Sequence, residues 1–380
     1  MPDSSENIAV LVGNGLSIAF NPDLNLRVIT GTMLDRMRNT NDEGSDVVAA
    51  MKEIAERALP HGTVSDDDFE VLVGAFGAES TTMNYLDRLA LLVSPQDEEL
   101  RQAIQRVSKF AQQVRDNGLS HVLEVIFERS RATREESKNL IKLVEAITHR
   151  YSGEITFGNL NYDTLLLSAL LETCASDLQD LGHGFVKVKV STAQDATTEV
   201  PALRKNMAEF AQNRRVRLLQ LHGSLTFWSN GDRTVFAKLD TNFLRNHSQW
   251  QAVRDLKTDI RPVIVLANQR DKSAHVKEFP FSLAYEAFLF GLTQSRKWMI
   301  IGYSFRDEPV NAMLRKEFSE RDPKPDVLIV THGEELTRHQ VERAFGWNAE
   351  DADSSDWLTI NRDGANGLQE TSEWASFAKE

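Results

Sequence analysis

Short apolar runs recur near both ends of the chain, and they are rich in the residues that favour β-strands. The first is Asn7–Val12 (NIAVLV), and the second begins at Ile155. Such runs, without alternation of polar and apolar residues, are typical of strands buried on both faces of a parallel sheet. Later runs of the same type are Leu218–Leu221, Trp298–Gly302 and Asp326–Val330, and Val263–Ala267 is a further predicted strand. Phe185–Val190 (FVKVKV) alternates apolar and basic residues and predicts an edge or half-exposed strand.

The pattern changes between about residues 30 and 150, where apolar positions recur at helical spacing. Strand-type runs on both sides of this block predict an α/β fold, a Rossmann-like parallel sheet with helices on both faces and an inserted, mostly helical lobe. We expect residues 1–29 and 151–345 to form the α/β domain and residues 30–150 the lobe, which could close over a site as a lid. Residues 346–380 are predicted to form an acidic, irregular tail with a late strand at Trp357–Ile360 and a closing helix.

Composition and charge narrow the function classes. At 380 residues the chain can bury a large core, and 41% hydrophobic and 26% charged residues are ordinary for a soluble globular protein. The formal net charge of −13 argues against nucleic-acid binding through a basic surface. The single cysteine, Cys174, excludes an internal disulfide and a four-thiolate zinc site. The N-terminal residues do not resemble a signal peptide and no apolar run reaches membrane length, so we expect a cytoplasmic protein.

Candidate chemistry begins where the first predicted strand ends. The strand runs into Gly13-Asn14-Gly15, and Ser17 follows. Two glycines after a buried strand let the backbone turn sharply and approach a ligand, and the next helix presents N–H groups to phosphate. Ser17 can add a hydroxyl donor. A plain tight turn explains the glycines equally well, and the dehydrogenase fingerprint is not met because Ile18 stands where it requires glycine.

The strand that begins at Ile155 leads into a turn with amide and carboxylate side chains. The sequence ITFGNLNYDTLLL places Asn161 and Asp163 between this strand and an apolar helix. Open α/β sheets bind ligands at such strand ends. Asn159 and Asp163 could instead cap the helix. Asn161 is the leading catalytic candidate because other strand ends converge on the same edge, whereas Asp163 could either stabilise positive charge or order the turn.

A histidine stands at the end of another predicted strand, in Leu221-His222-Gly223-Ser224. Histidine is the side chain whose ordinary pKa best suits proton transfer near neutrality, so His222 is the candidate general base. The alternative is a structural histidine bonded to a backbone carbonyl group.

Two later strands complete the predicted crevice. One runs into Gly302-Tyr303-Ser304, where Gly302 allows close approach and Ser304 can bond a ribose or phosphate oxygen. The other ends at Thr331, which could flank an adenine. Strand ends with small and polar residues along the carboxyl edge of one parallel sheet predict a dinucleotide site.

The motifs at these strand ends together resemble a known family. GNGLS at Gly13–Ser17, NYDTLL at Asn161–Leu166, LHGS at Leu221–Ser224 and IIGYSFRDEPVN at Ile300–Asn311 follow the order of the sirtuin-like family. They are most similar to its bacterial branch in antiphage defence systems, and the motif-bearing parts cover about half of the chain. The resemblance implies a Rossmann-type sheet that binds NAD+.

The resemblance also implies a role for each site residue. Asn161 would position the attacking water beside the nicotinamide ribose, and His222 would be the general base toward that water or a ribose hydroxyl. The segment that would hold the pyrophosphate consists of Gly13, Asn14, Gly15 and Ser17. The residues that would meet the adenosine half are Gly302, Tyr303, Ser304 and Thr331.

Two departures from the family pattern bear on the reaction. Deacylase sirtuins carry a zinc ribbon built from two cysteine pairs, which a chain with only Cys174 cannot form. Cleavage of NAD+ by water, an NAD+ glycohydrolase reaction, therefore fits better than deacylation. NAD+ would be the substrate, with no separate cofactor, no zinc and no other metal. Leu160 stands where family members usually have a polar residue, which affects the expected nicotinamide pocket.

Two other functions stay open, a non-catalytic subunit that binds NAD or ADP-ribose and an ADP-ribosyltransferase. The defence branch also implies regulation, because an unregulated NADase would deplete its own cell. We therefore expect the NAD-depleting effector of an antiphage, abortive-infection system. We expect a homo-oligomer, a partner such as a HerA-type ATPase or an Argonaute, and no membrane or direct nucleic-acid binding.

Overall fold

The N-terminal apolar run is a central strand of a parallel sheet in the computed structural model of the protein. The structure describes residues 6–40, 43–58, 69–92, 98–131, 135–191, 197–245, 247–255, 257–265, 269–348 and 353–379. The strands are β1 Ile8–Val12, β2 Ile155–Asn159, β3 Leu178–Asp180, β4 Gly182–Ser191, β5 Thr197–Leu203, β6 Val216–Gln220, β7 Gly223–Asn230, β8 Phe236–Lys238, β9 Ile260–Ile264, β10 Lys297–Ile301, β11 Asp326–Val330 and β12 Leu358–Asn361.

Seven of these strands form one sheet in the order β12-β11-β10-β1-β2-β6-β3, and every neighbouring pair is parallel. Val12 is paired with Asn159 on one side and with Ile301 on the other, and Asn159 is paired with Gln220. The strands therefore end at one level. The chain leaves β1 toward β2 and later returns to β10 on the other side of β1, so the order reverses at β1, where α/β sheets bind ligands.

Helices cover both faces of this sheet. They are α1 Asn14–Phe20, α2 Leu26–Arg38, α3 Gly44–Ala58, α4 Phe69–Ala90, α5 Glu98–Ser130, α6 Glu135–Arg150, α7 Leu165–Cys174, α8 Thr241–Leu244, α9 His247–Arg254, α10 Gln269–His275, α11 Phe281–Gln294, α12 Glu308–Ser319, α13 Arg338–Phe345 and α14 Ser372–Phe377. Ala9 and Leu11 share a core with α11, α12 and α13, and Ile8 and Val10 share one with α6, α7 and α14. The predicted Rossmann-like fold with helices on both faces is confirmed.

A second, antiparallel sheet was not predicted. Its five strands have the order β4-β5-β8-β7-β9, with β4 at the edge as the alternation of Phe185–Val190 indicated. β7 is buried along nearly its whole length although it contains Ser224, Thr226 and Ser229, and β5 contains Pro201, which weakens a strand prediction. The apolar residues of this sheet share a core with α2, α4 and α5 of the helical block, so the lobe and the second sheet pack together.

The structure differs from the sequence prediction at two domain boundaries. α6, predicted within the lobe, packs against the parallel sheet through Leu143 and Ile147. In the tail, the predicted late strand and closing helix are present as β12, which pairs with β11 at the sheet edge, and α14, which packs on the sheet through Trp374, so this part of the chain belongs to the α/β domain. Among the described residues, no helix combines the length and the apolar character needed to cross a membrane.

Candidate active site at the carboxyl edge of the sheet

The ends of β1 and β10 touch each other through glycines. The Gly13 N–H donates to Ile301 O and the Gly15 N–H donates to Gly302 O, both at 2.9 Å. A Cβ on Gly13 would lie 2.6 Å from Gly302 O, and Gly302 has φ of +62°. No other residue type fits there without moving the backbone. The glycines therefore let the ends of β1 and β10 approach each other closely. Asn14, in the first turn of α1, is half-buried.

Asn161 joins the turn after β2 to the turn after β1. Its side-chain N–H groups donate to Gly13 O at 3.0 Å and to Ser17 Oγ at 2.9 Å. The Ser17 hydroxyl in turn donates to Asp163 Oδ2 at 2.6 Å. All three polar side chains are more than nine-tenths buried. The structure thus brings together Gly13, Ser17, Asn161 and Asp163, which the sequence placed on two separate segments.

Both carboxylate oxygens of Asp163 have hydrogen-bond donors. Oδ2 accepts from Ser17, and Oδ1 accepts from the backbone N–H of Leu165, the first residue of α7, at 2.9 Å. Burial raises the pKa of Asp163 above its ordinary value, and the bonds from Ser17 and Leu165 oppose that shift. These contacts match the ordering role that the sequence left open for this carboxylate.

His222 lies where the chain passes from the parallel sheet to the antiparallel one. β6 ends at Gln220 and β7 begins at Gly223, and the carbonyl oxygen of His222 accepts from Val265 N–H at 2.9 Å. The side chain is only 4% exposed. Its Nε2 lies 3.1 Å from Asp307 Oδ2, although the two atoms lack the alignment of a hydrogen bond.

A buried chain of alternating charges continues from His222. Lys272 Nζ on α10 lies 2.9 Å from Asp307 Oδ2 and 3.4 Å from Glu70 Oε2 on α4. The Tyr162 hydroxyl donates to Glu70 Oε1 at 2.6 Å, which returns the chain of contacts to the turn that carries Asn161. Tyr162 therefore links the Asn161 group to the His222 group, and Glu70 brings the helical lobe into the site.

The pKa shifts in this cluster follow from burial and neighbouring charge. Burial and the cation of Lys272 lower the pKa of His222, and Asp307 and Glu70 only partly oppose this. Burial would raise the pKa of Asp307, but His222 and Lys272 hold it well below its ordinary range. Lys272 is desolvated, yet the carboxylates of Glu70 and Asp307 raise its pKa. Near neutral pH the arrangement is a neutral imidazole beside an ionised carboxylate and an ammonium group.

Of this second group, only His222 was predicted as a site residue. Asp307 caps the helix that follows it, because its Oδ1 accepts from Val310 N–H at 3.1 Å. Its contact with His222 had no local signal. Glu70, Tyr162 and Lys272 were missed, since Glu70 and Lys272 stand 202 residues apart and each fits an ordinary helical pattern.

The remaining predicted residues lie along the same edge with different exposures. Tyr303 is buried, and its hydroxyl donates to Asp307 O at 3.0 Å and lies 2.8 Å from Asn311 Oδ1. Ser304 is exposed and Thr331 is half-buried at the end of β11, where its N–H donates to Asn361 O. The Tyr303 hydroxyl therefore has its hydrogen-bond partners within the protein, and the ring is the part of this side chain that is available to contact a ligand.

The chemistry available here is proton acceptance next to a polar, buried turn. A neutral His222 can accept a proton, Asp307 can stabilise the imidazolium that forms, and Asn161 can orient a small polar molecule. Within the described residues, no cluster of three or more His, Cys, Asp or Glu side chains is arranged to hold a metal ion.

The comparisons with known proteins agree with this geometry. No curated protein matches the chain. The SIR2-like domain family matches residues 156–351, more than half of the 380 residues, in a segment that contains Asn161, His222, Gly302 and Thr331. Members of this family are NAD-dependent enzymes, which indicates an NAD-related function. The chain belongs to the SIR2-like domain family.

Proposed function

We propose that the protein is an NAD+ glycohydrolase, which cleaves NAD+ to nicotinamide and ADP-ribose. The observation that carries the proposal is the position of Asn161 and His222, which follow the neighbouring strands β2 and β6 at one sheet edge in an NAD-dependent family. In the reaction, the bond between nicotinamide and C1′ of the ribose breaks and its electron pair leaves with neutral nicotinamide. A water oxygen bonds to C1′ and loses one proton.

Asn161 is proposed to hold the water. Its amide nitrogen already donates to Gly13 O and Ser17 Oγ, so the orientation of the side chain is fixed. The amide oxygen is then the atom that accepts a hydrogen bond from water. Asp163 fixes Ser17 and thereby Asn161, which makes it a positioning residue. A fixed polar group of this kind contributes by orienting the reactants before the barrier is crossed.

His222 is proposed to accept the proton, from the water or from a ribose hydroxyl. Burial and Lys272 lower its pKa, so the imidazole is neutral near pH 7 and able to act as a base. Asp307, 3.1 Å from Nε2, stabilises the positive charge that appears on the ring. A positioned base of this kind contributes roughly 10²- to 10⁴-fold to a reaction rate.

Binding of the rest of NAD+ is proposed on the family resemblance. The pyrophosphate would lie on the segment of Gly13, Asn14, Gly15 and Ser17, next to the switch between β1 and β10. The adenosine half would lie along Gly302, Tyr303, Ser304 and Thr331. NAD+ is the substrate in this proposal, and no separate cofactor or zinc ion takes part.

The test is turnover of NAD+ labelled in the adenosine part by purified Asn161→Ala and His222→Ala variants. We expect both to lose at least about 100-fold in kcat/KM. Matched controls are Asn242→Ala on the exposed surface of α8 and His183→Ala on β4, which should retain activity. Full activity in either site variant contradicts the proposal.

The labelled product separates this function from its two alternatives. Free ADP-ribose is the product of a glycohydrolase, a labelled protein or nucleotide is the product of an ADP-ribosyltransferase, and binding without turnover identifies a regulatory subunit. Fold alone does not exclude the last of these. The proposal predicts free ADP-ribose.

We further propose that this activity depletes NAD+ in an antiphage, abortive-infection system, together with a partner such as a HerA-type ATPase. The support is the order of the four motifs. In cells that carry the system, phage infection should lower NAD+ with the native protein and leave it unchanged with His222→Ala. A fall in NAD+ with both proteins would contradict the proposed role.

A further inference from the structure

The end of the α4–α5 hairpin exposes an unusual amount of apolar side chain. Most large exposed apolar residues of the described chain lie between residues 85 and 110, namely Tyr85, Leu86, Leu89, Leu91, Leu92, Leu100, Val107 and Phe110. Leu92 is 79% exposed, Leu89 57% and Phe110 53%. Isolated exposed apolar residues are ordinary, but a contiguous group on one element marks an interaction surface.

On α5 these residues follow a heptad spacing. Leu100, Ala103, Val107 and Phe110 are all exposed and differ by three, four and three positions, so they form one narrow stripe along the helix. Beyond Phe110 the same side of the helix enters the core that the lobe shares with the second sheet, where Ala111 and Val114 are buried. Between Leu100 and Phe110 the stripe is exposed, and an exposed stripe at this spacing is the pattern that packs against another helix.

The charges beside the stripe select a second copy of the same hairpin in antiparallel orientation. Glu99 and Arg106 lie on the same flank of the stripe, seven positions apart. In an antiparallel pair centred near Leu100 and Ala103, residues on this flank face each other across the contact. Glu99 of each copy then lies beside Arg106 of the other, and the two-fold axis produces the ion pair twice. In a parallel pair, Glu99 of one copy does not lie beside Arg106 of the other.

The same arrangement covers the rest of the apolar surface. In the antiparallel pair, Val107 and Phe110 of one copy meet the end of the other hairpin, where Leu89 and Leu92 are exposed. A cavity of about 200 Å³ opens beside Phe110, between α2, α3 and α5, and Met37 and Val114 line part of it. A projecting apolar end and a concave surface on one molecule are what a self-complementary two-fold contact requires.

We propose that the stripe Leu100, Ala103, Val107 and Phe110, together with the exposed Leu89 and Leu92 at the end of the hairpin, is the surface through which two copies of this chain form an antiparallel dimer. The surface lies outside the candidate active site, and the proposal goes beyond the NAD+ reaction. Wild-type protein should be a dimer, or a larger assembly built from such dimers.

The first test is sedimentation and light scattering of Val107→Glu across a concentration series. The buried carboxylate should weaken dimerisation by at least about 100-fold. Phe185→Glu is the matched control, because Phe185 is 93% exposed on β4, away from the hairpin. Circular dichroism should show both variants folded, since both positions are exposed. A monomeric wild-type protein at about 100 µM, or a Val107→Glu variant that assembles like the wild type, overturns the proposal.

Charge reversal tests the orientation. Glu99→Arg and Arg106→Glu should each weaken the dimer, and the double variant should restore it, because the two ion pairs reform with opposite sign. Ala103→Cys should be linked to its partner by a short thiol-reactive reagent, whereas the exposed control Ala375→Cys on α14 should not. Absence of rescue in the double variant, or equal cross-linking of both cysteines, contradicts the antiparallel pairing.

Discussion

Two buried histidines of the described residues, His222 and His121, stand in charged clusters, and only His222 has the contacts of a base. His222, at the carboxyl edge of the sheet, has a carboxylate 3.1 Å from Nε2 and a cation beyond it. His121, on α5 in the helical lobe, is 7% exposed, and neither of its ring nitrogens has a hydrogen-bond partner among the described residues. Burial and the charges of Arg254 and Arg36 lower the pKa of His121 to about 3.

In the charged cluster around His121, here called the lobe cluster, the carboxylate of Glu124 contacts groups other than His121. Glu124 Oε2 lies 2.8 Å from Arg254 Nη1 and 3.4 Å from Arg36 Nη1, and its other oxygen contacts His247. The lobe cluster thus joins α2, α5 and α9, whereas the carboxylate of the sheet cluster faces a neutral imidazole. A buried histidine among charges is therefore a candidate base only when an acidic group is placed to stabilise its protonated form.

The largest expected effect comes from removing the charge of one carboxylate in each cluster. Asp307→Asn keeps an oxygen for the cap of α12 but no longer stabilises a protonated His222, so kcat/KM should fall by about 100-fold. Glu124→Gln leaves Arg254 buried without its carboxylate, which should cost about 3–5 kcal/mol of unfolding free energy. Chemical denaturation and NAD+ turnover at a temperature where both variants are folded check the two results.

The two variants are expected to differ in activity. Glu124→Gln should turn over NAD+ at the wild-type rate, because its cluster lies apart from the candidate site. Equal loss of activity in both variants would show that the two clusters do not differ in function.

A smaller effect is expected from the pH dependence of stability. His121 has a pKa of about 6.5 when unfolded and about 3 when folded, so the unfolded state binds the extra proton between these values. Titration of His121 leaves the free energy of unfolding unchanged above pH 6.5. As the pH falls from 6.5 toward 3, it lowers that free energy by at most about 5 kcal/mol. Arg254, Arg36 and His247 are the charged groups that act on it.

His121→Leu removes this titration and fills the same buried position with an apolar side chain. Its unfolding free energy, measured by urea denaturation between pH 7 and pH 4, should fall less steeply than that of the wild type. A wild-type slope in His121→Leu would show that His121 titrates normally.

The smallest expected effect is a shift of the pH profile by Glu70→Gln. The carboxylate of Glu70 raises the pKa of His222, although less than Lys272 and burial lower it. Without that charge the pKa of His222 falls, so the acid limb of the kcat/KM profile should move to lower pH. Glu145→Gln, on the exposed side of α6, is the control. A shift to higher pH would contradict the electrostatic link between the lobe and His222.

The parts of the fold that the sequence predicted are those with strong local patterns. Buried parallel strands give continuous apolar runs, and small or polar residues at their ends identified Gly13, Asn161 and Gly302 as lying along one edge. The second sheet was not predicted because its strands give weak local signals: β7 mixes serine and threonine with apolar residues although it is buried, and β5 contains Pro201. The contacts of His222 with Asp307 and Lys272 depend on how distant segments pack, which no local pattern encodes.

The junction between the two sheets has a mechanical consequence. Only Leu221 and His222 separate β6 from β7, so the backbone of His222 belongs to both layers. The second sheet shares its core with the helical lobe, and Leu225 N–H donates to Tyr162 O. A rotation of the lobe with its sheet would have to be taken up by the backbone torsions of Leu221, His222 and Gly223. A displacement of the antiparallel sheet and the lobe therefore acts on the proposed base directly through the covalent backbone, because no longer loop separates the two sheets at this point.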